Sequence, residues 1–258
     1  VTDDLRFAVL GSGSSGNALV VENANTRVLI DAGFSARTLE RRLAELERDF
    51  NAFDAIVITH EHSDHWQGVS RLSHRYQLPV WLTPGTHFAT HDDPVFAREL
   101  YSPHEPFSIG DLAFNPYPIP HDAREPAQLI ISNGDSRLGI LTDAGHATPH
   151  IRSMIDGCHG LIVEANHDAD LLASGPYPAT LKKRVASGHG HLGNHQAREL
   201  VAALNTDALQ HVVAAHISQS NNHTNLAREA LADALNCTPD WVQVADQRAG
   251  LGWRSLGQ

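Results

Sequence analysis

Thr59-His60-Glu61-His62-Ser63-Asp64-His65 sets three imidazoles and an aspartate within six consecutive positions, His60 to His65. It closes Ala55-Ile-Val-Ile-Thr59, an apolar, β-branched run that reads as a strand. In an extended segment residues i and i+2 point to the same side, so His60 and His62 can grip one cation. A helix starting near Ser63–Asp64 would turn Asp64 and His65 toward a second position nearby. Neutral imidazoles and carboxylates suit a borderline divalent cation. A polar loop of satisfied histidines is the bland alternative, and the density of ligand types at a strand end speaks against it.

Working outward, the later chain repeats this address. Pro120-His121-Asp122 follows a β-like stretch, Asp143 ends Leu138-Gly-Ile-Leu-Thr-Asp143, and His216 ends Val212-Val-Ala-Ala-His216. Loops at strand ends, held by a rigid scaffold, are where binding and catalytic groups collect. Each of these residues alone could be a cap or loop residue; alongside the first cluster they suggest one site. The remaining periodicity reads as strands at 6–10, 18–21, 27–31, 106–118, 127–132, 137–142, 160–164 and 211–215, with a final strand pair. Helices are expected over 35–47 with Ser35 as cap, from the histidine cluster to Tyr76, and over 148–156, 178–186, 194–204 and 224–235. This is an α/β (α+β) pattern, two sheets face to face with helices outside, expected to form a single domain over 1–258.

Gly11-Ser-Gly-Ser-Ser-Gly16 matches G-x-G-x-x-G after a strand, with Asp31 downstream. A dinucleotide site needs a helix directly after the glycines to meet the pyrophosphate. Here a short apolar run, a turn and Arg27-Val-Leu-Ile-Asp31 follow instead, which is a hairpin. No Gly-Lys-Ser/Thr follows either, so a P-loop is excluded.

Composition sets the outer bounds. The 258 residues carry 19 Lys+Arg against 30 Asp+Glu, a net charge of −11, with 18 histidines and two cysteines. No apolar run is long enough to span a membrane, and the acidic start Val1-Thr2-Asp3-Asp4 is unlike a signal peptide. Two unmatched cysteines make no disulfide framework, so a cytoplasmic location is expected. The acidic balance argues against broad electrostatic capture of nucleic acid, though a local cationic site can overrule it.

The series His60-x-His62-x-Asp64-His65, His121, Asp143 and His216 resembles the ligands of the metallo-β-lactamase superfamily. Within it the chain resembles the WalJ-like (YycJ-like) branch, known for 5′-to-3′ exonuclease action on double-stranded DNA. The residues that suggest the branch are Leu10-Gly-Ser-Gly-Ser-Ser-Gly-Asn17, Asp31-Ala-Gly-Phe-Ser35, Glu164-Ala-Asn-His167-Asp168, Gly175-Pro-Tyr-Pro178, Gly190-His191-Leu-Gly-Asn194 and His216-Ile-Ser-Gln-Ser-Asn-Asn222. Two positions depart from it: Gly193 stands where the branch commonly has serine, and Ser220 where an acid is frequent.

The resemblance implies a four-layer αββα sandwich with the site at one edge between the sheets. It implies two divalent ions, Zn²⁺ or Mn²⁺: His60, His62 and His121 on one, Asp64, His65 and His216 on the other, and Asp143 bridging. Such a pair, about 3.5–4 Å apart, generates hydroxide at neutral pH and clamps the oxygens of an in-line displacement. It leaves the pocket positive even after Asp64, Asp143 and the hydroxide are counted. Asp64 would also orient the hydroxide, and His191, with His189 competing, would steady or protonate the departing oxygen. His167 with Glu164 would support the site. Ser12, Ser14, Ser15 and Asn17 could present donors to a phosphate. Lys182, Lys183 and Arg184 form the one compact basic run and could touch DNA backbone, a solvated helix face being the alternative. Trp66 and Tyr177 could stack on a base, or simply pack. The expected function is a dinuclear phosphodiesterase acting as an exonuclease on DNA. The alternatives are a hydrolase of a small ester, thioester or cyclic phosphodiester, an RNA-processing nuclease, or a metal-binding protein without activity. The short interval from Asp143 to His216 and the lack of a basic Gly/Pro-rich arm weigh against the RNA-processing branches.

Overall fold

Alternation along the first strands decides what each face is buried against. Leu19, Val21, Val28, Ile30, Ala55 and Val57 enter one core, while Ala18, Val20, Leu29 and Ile56 enter another on the opposite face. Strands covered on both faces read as continuous apolar runs, which is why these segments lack polar alternation. In the computed structural model, which describes residues 4–257, they build the first of two seven-stranded sheets. Val1-Thr2-Asp3, part of the acidic start, lies outside the described residues.

The first sheet holds β1 (Leu5–Gly11), β2 (Ala18–Glu22), β3 (Arg27–Ile30), β4 (Ala55–Val57), β5 (Pro79–Leu82) and β6 (Ala97–Leu100). The second holds β7 (Phe107–Ile109), β8 (Leu112–Pro118), β9 (Ala127–Ser132), β10 (Arg137–Leu141), β11 (Gly160–Glu164), β12 (His211–Ala215) and β13 (Gln243–Val244). The last strand, β14 (Leu251–Leu256), returns to the first sheet beside β1. Each sheet is antiparallel at one end and parallel at the other, in the orders β14-β1-β2-β3-β4-β5-β6 and β13-β12-β11-β10-β9-β8-β7. The glycine-rich segment is the connection between antiparallel β1 and β2, as the hairpin reading requires.

Leu112, Phe114, Leu129, Ile131, Leu138, Ile162 and Val213 of the second sheet meet the first sheet in the central core. Outside the first sheet lie α1 (Ala36–Glu45), α2 (Ser63–Trp66), α3 (Val69–Tyr76) and α4 (Pro84–Ala89). Ser35 caps α1 by accepting from the Thr38 N–H, and Leu39 and Leu43 pack on the sheet. The second sheet carries α5 (Pro149–Ile155), α6 (Ala169–Ser174), α7 (Ala179–Val185), α8 (Asn194–Ala202) and α9 (Thr224–Leu235). Ile151, Ile155, Leu200, Val201 and Leu231 form the third core. The result is the expected αββα sandwich. Among the strands and α-helices, β5, α4, β6 and α6 were not expected, nor were the short 3-10 turns Phe50–Ala52 and Pro239–Trp241. The helix expected to run on to Tyr76 is broken at Gly68, where a Cβ would lie 2.4 Å from the Phe34 carbonyl oxygen.

At the far end of β2, Glu22 is almost fully buried beneath three arginines: Arg27 at 2.5 Å, Arg48 at 2.8 Å and Arg6 at 3.4 Å. Burial alone would raise its carboxyl, but Arg48 and Arg27 hold it below the usual carboxylate range. The stability this gives is present above the ordinary glutamate value and is lost as pH falls through the depressed one. Glu22→Gln is expected to cost about 1–3 kcal/mol, toward the lower figure because Arg6 and Arg48 reach solvent. Urea denaturation at pH 7 and below pH 4.5 checks this: the penalty shrinks in acid.

Candidate metal centre

The site is built at the carboxyl ends of strands from both sheets. Asp31 follows β3, His216 follows β12, Asp143 lies two residues past β10, and Glu164 is the last residue of β11. Asp31, Asp143 and His216 take left-handed backbone, with φ of 58°, 60° and 51°. Aspartate and histidine are among the few non-glycine residues that tolerate this region, and such strain gathers at functional sites. His60 and His62 lie between β4 and α2, Asp64 and His65 in α2, and His121 beyond β8. Main-chain bonds tie these loops together: Asn17 N to Asp64 O at 2.7 Å, Ala32 N to His65 O at 2.8 Å, and Gly33 N to Asn17 O at 2.9 Å. Gly33 permits this approach, since a Cβ there would fall 1.7 Å from the Asp64 carbonyl oxygen.

Three ring nitrogens converge on one side. His62 Nδ1 stands 3.1 Å from His60 Nε2 and 3.2 Å from His121 Nε2. His60 is fixed from behind by the Thr59 hydroxyl, 3.0 Å from its Nδ1. Burial, with help from the neighbouring imidazoles, holds His60 well below its ordinary value, and burial also lowers His121. Burial thus favours neutral imidazoles at His60 and His121, the form in which histidine binds metal, and with His62 their ring nitrogens are aimed at a common point.

On the other side His65 Nδ1 donates to Asp31 at 2.7 Å, and Thr59 N and Oγ1 donate to the same carboxylate. That leaves His65 Nε2 facing Asp143 at 3.4 Å and Asp64 at 3.6 Å. A carboxylate that fixes the tautomer of a histidine is the usual support behind a metal ligand. His216 Nδ1 is 3.0 Å from Asp143 and 3.1 Å from Glu164, and its Nε2 is 3.9 Å from Asp64. Burial would lower both histidines, yet Asp31 and Asp143 push His65 up to about 9, and Asp143 and Glu164 raise His216 well above its usual value. Asp143 moves the other way: burial is outweighed by His216 and His65. Protons and a divalent cation compete for these nitrogens.

The donor set fits a pair of divalent ions on a structural ground. Asp143 Oδ2 and both ring nitrogens of His216 are buried without an aligned hydrogen bond. Unpaired buried polar groups are costly, and a cation is the partner that would satisfy Asp143 Oδ2 and the lone-pair nitrogen of His216, whose other nitrogen carries a proton. The potential ligand groups are His60, His62 and His121; His60, His65 and Asp143; and Asp143, Glu164, His191 and His216.

Of these residues His62, His121, Asp143, His191 and His216 border a cavity of about 380 Å³ whose other walls include Ser14, Ser63, Asn166, Tyr177, Arg184 and Ser218. His191 lies on it with Nδ1 2.8 Å from Glu164, whereas His189 is exposed and does not line it. Glu164 is fully buried and also accepts from the Ala144 and Leu192 N–H groups. Burial would raise its carboxyl, but His191 and His216 lower it. In return Glu164 raises His191 against the effect of burial. Ser12 and Asn17 turn inward: Ser12 Oγ accepts from the His216 N–H, and Asn17 Nδ2 lies 3.3 Å from Asp64 Oδ2 and 3.1 Å from His65 Nε2. Ser14 is the member of that loop on the cavity wall. His167 is buried behind Gly193, where a Cβ would sit 3.0 Å from its Nε2, so a serine at this position would crowd the ring. Lys182 Nζ is bound to the Ala173 carbonyl at 2.6 Å, Lys183 is exposed and does not line the cavity, and Arg184 lines it. Trp66 is largely buried, with its indole N–H on Asp93. Asn166, not singled out from the sequence, lines the cavity and holds the His216 carbonyl at 2.8 Å.

Comparison with known proteins places the chain in one superfamily. The family model described as the β-lactamase superfamily domain matches residues 26–217. The chain is 34% identical over 235 residues to the exodeoxyribonuclease YycJ of Bacillus anthracis, covering 90% of this chain and 89% of that one. It is 30% identical over 236 residues to the exodeoxyribonuclease WalJ of Streptococcus pneumoniae, covering 89% and 88%. The metallo-β-lactamase fold protein YhfI of Bacillus subtilis superposes with a TM-score of 0.75 at 15% identity, over 98% of this chain and all of that one, a likeness of fold.

Proposed function

We infer function from the premise that the chain belongs to the β-lactamase superfamily: it is a metal-dependent hydrolase, and its reaction is phosphodiester hydrolysis on DNA from an end. The observation that carries this is Asp143, whose carboxylate stands between the histidine clusters of the two sheets. The names of its relatives, exodeoxyribonucleases similar over nearly the whole chain, point to the polymer.

His60, His62 and His121 would hold one ion, and Asp64, His65 and His216 the other, with Asp143 shared. Two divalent ions supply Lewis acidity and an activated water at neutral pH. The chain's own residues do the rest. Asp31 and Thr59 hold His65 and His60 in the required orientation. Asp64 orients the attacking water. Glu164 favours the protonated form of His191, and His191 gives its proton to the departing oxygen. Asn166 and Ser12 fix the strained His216 turn through its carbonyl and N–H.

The same reading takes linear double-stranded DNA as substrate, 5′-to-3′ as polarity, Zn²⁺ or Mn²⁺ as metal, the cytoplasm as location and residues 1–258 as one domain. Among the described residues no helix is long and apolar enough to cross a membrane. A second reading, a hydrolase of a small ester or cyclic phosphodiester, is favoured by the confined cavity and the net charge of −11. Duplexes labelled on the 5′ or the 3′ end separate the two. Early release of the 5′ label as a small product, and inhibition of model-ester turnover by DNA, are expected. Turnover of small esters untouched by DNA would favour the second reading.

A further inference from the structure

Three aspartates line the cavity, Asp64, Asp122 and Asp143, and Arg184 is the one permanent cation on its wall among the described residues. Its neighbours in the basic run do not line the cavity: Lys182 ties α7 to the Ala173 carbonyl, and Lys183 is exposed. Arg184 is also fixed relative to the reacting centre. The His191 N–H donates to the Val185 carbonyl at 3.0 Å. At Gly190 the chains approach so closely that a Cβ would meet the Val185 carbonyl oxygen at 2.2 Å. The end of α7 and the His191 loop therefore form one unit.

Arg184 uses its Nε to bind Asp122 Oδ2 at 2.5 Å, which leaves the terminal amino groups of the guanidinium for a second partner. Both side chains are partly open to solvent, 59% and 34%, so the pair is weak and exchangeable. Asp122 in turn sits beside His121, its Oδ1 3.6 Å from that ring's Nε2.

We propose that Arg184 is the substrate-binding cation of this site, and that it exchanges Asp122 for a non-bridging oxygen of the phosphate being cleaved. Asp122 is the placeholder that neutralises the guanidinium until an anionic substrate arrives. A guanidinium matches a phosphate as a two-pronged donor, which an ammonium cannot do. The exchange favours anionic phosphodiesters over neutral esters, so it deepens the phosphodiesterase reading and rests on it.

The test compares wild type, Arg184→Gln, Arg184→Lys, Asp122→Asn and the Arg184→Gln/Asp122→Asn double variant, each checked for metal content and circular dichroism. Two readouts are taken: KM and kcat for bis(p-nitrophenyl) phosphate, and calorimetric binding of thymidine 5′-monophosphate. Arg184→Gln is expected to raise KM and weaken nucleotide binding about tenfold, with the larger share of the loss in KM. Arg184→Lys recovers part of this. Asp122→Asn tightens binding only when Arg184 is present, so its gain vanishes in the double variant. The proposal is overturned if Arg184→Gln stays within about twofold of wild type in both readouts. An equal Asp122→Asn effect with and without Arg184 overturns it too. Duplex DNA left uncut by wild type would count against the exonuclease reading alone, because nucleotide binding needs no turnover.

Discussion

Asp143→Asn is expected to lower phosphodiester hydrolysis by on the order of 10³-fold or more and to reduce the bound metal per chain. The side chain is nearly isosteric, and asparagine tolerates the left-handed backbone at φ 60°, so the fold should persist. What disappears is the negative charge that faces His65 at 3.4 Å and His216 at 3.0 Å from opposite sides. Without it the two donor clusters lose their common member, and the protons on His65 and His216 lose the partner that holds them. Metal analysis after dialysis, with hydrolysis rates on the same samples, checks the prediction. Full metal occupancy together with near-normal rates would show that Asp143 is not the shared ligand.

His191→Ala is the second large effect. General acid catalysis contributes roughly 10²–10⁴-fold, and a loss of this size in kcat is expected on DNA. The loss should be smaller on bis(p-nitrophenyl) phosphate, because p-nitrophenolate departs without a proton. Metal content should remain at the wild-type level; a drop would make His191 a ligand, as its distance of 3.7 Å from Asp143 allows. The sign of the pH dependence follows from Glu164. Its carboxylate raises His191, so the protonated acid persists to higher pH and activity falls as pH rises through that raised value. Glu164→Gln removes the support and should move the falling limb to lower pH. A pH–rate profile of the two proteins reads this directly.

The site was legible where ligand types crowd together and dim where a residue acts alone. His60, His62, Asp64 and His65 share one short segment at a strand end, and His121, Asp143 and His216 recur at the same address. Glu164 ends Leu-Ile-Val-Glu, an apolar strand, and came to notice only through the family motif it shares with His167. Its contacts with His191, Ala144 and Leu192 span three segments and are visible only in the fold. Asp31 was legible as an acid after a strand; its bond to His65 is a tertiary contact across 34 positions. Ser12 and Asn17 carry the chemistry of phosphate binders, yet the hairpin turns both inward to brace the metal-side loops. The elements missed have a common cause. β6 is an edge strand reading Ala-Arg-Glu-Leu, β5 begins at a proline, and α4 and α6 have six residues each, too few to show a period.

The most direct measurement is release of nucleotide from linear duplex DNA by the Zn²⁺- or Mn²⁺-loaded protein beside an Asp64→Ala control. Asp64 lies 3.6 Å from His65 and 3.9 Å from His216, within the proposed second ion's ligand set. The account predicts steady release by the wild type that a chelator abolishes and the Asp64→Ala protein lacks. No release above the Asp64→Ala control with either metal would contradict it.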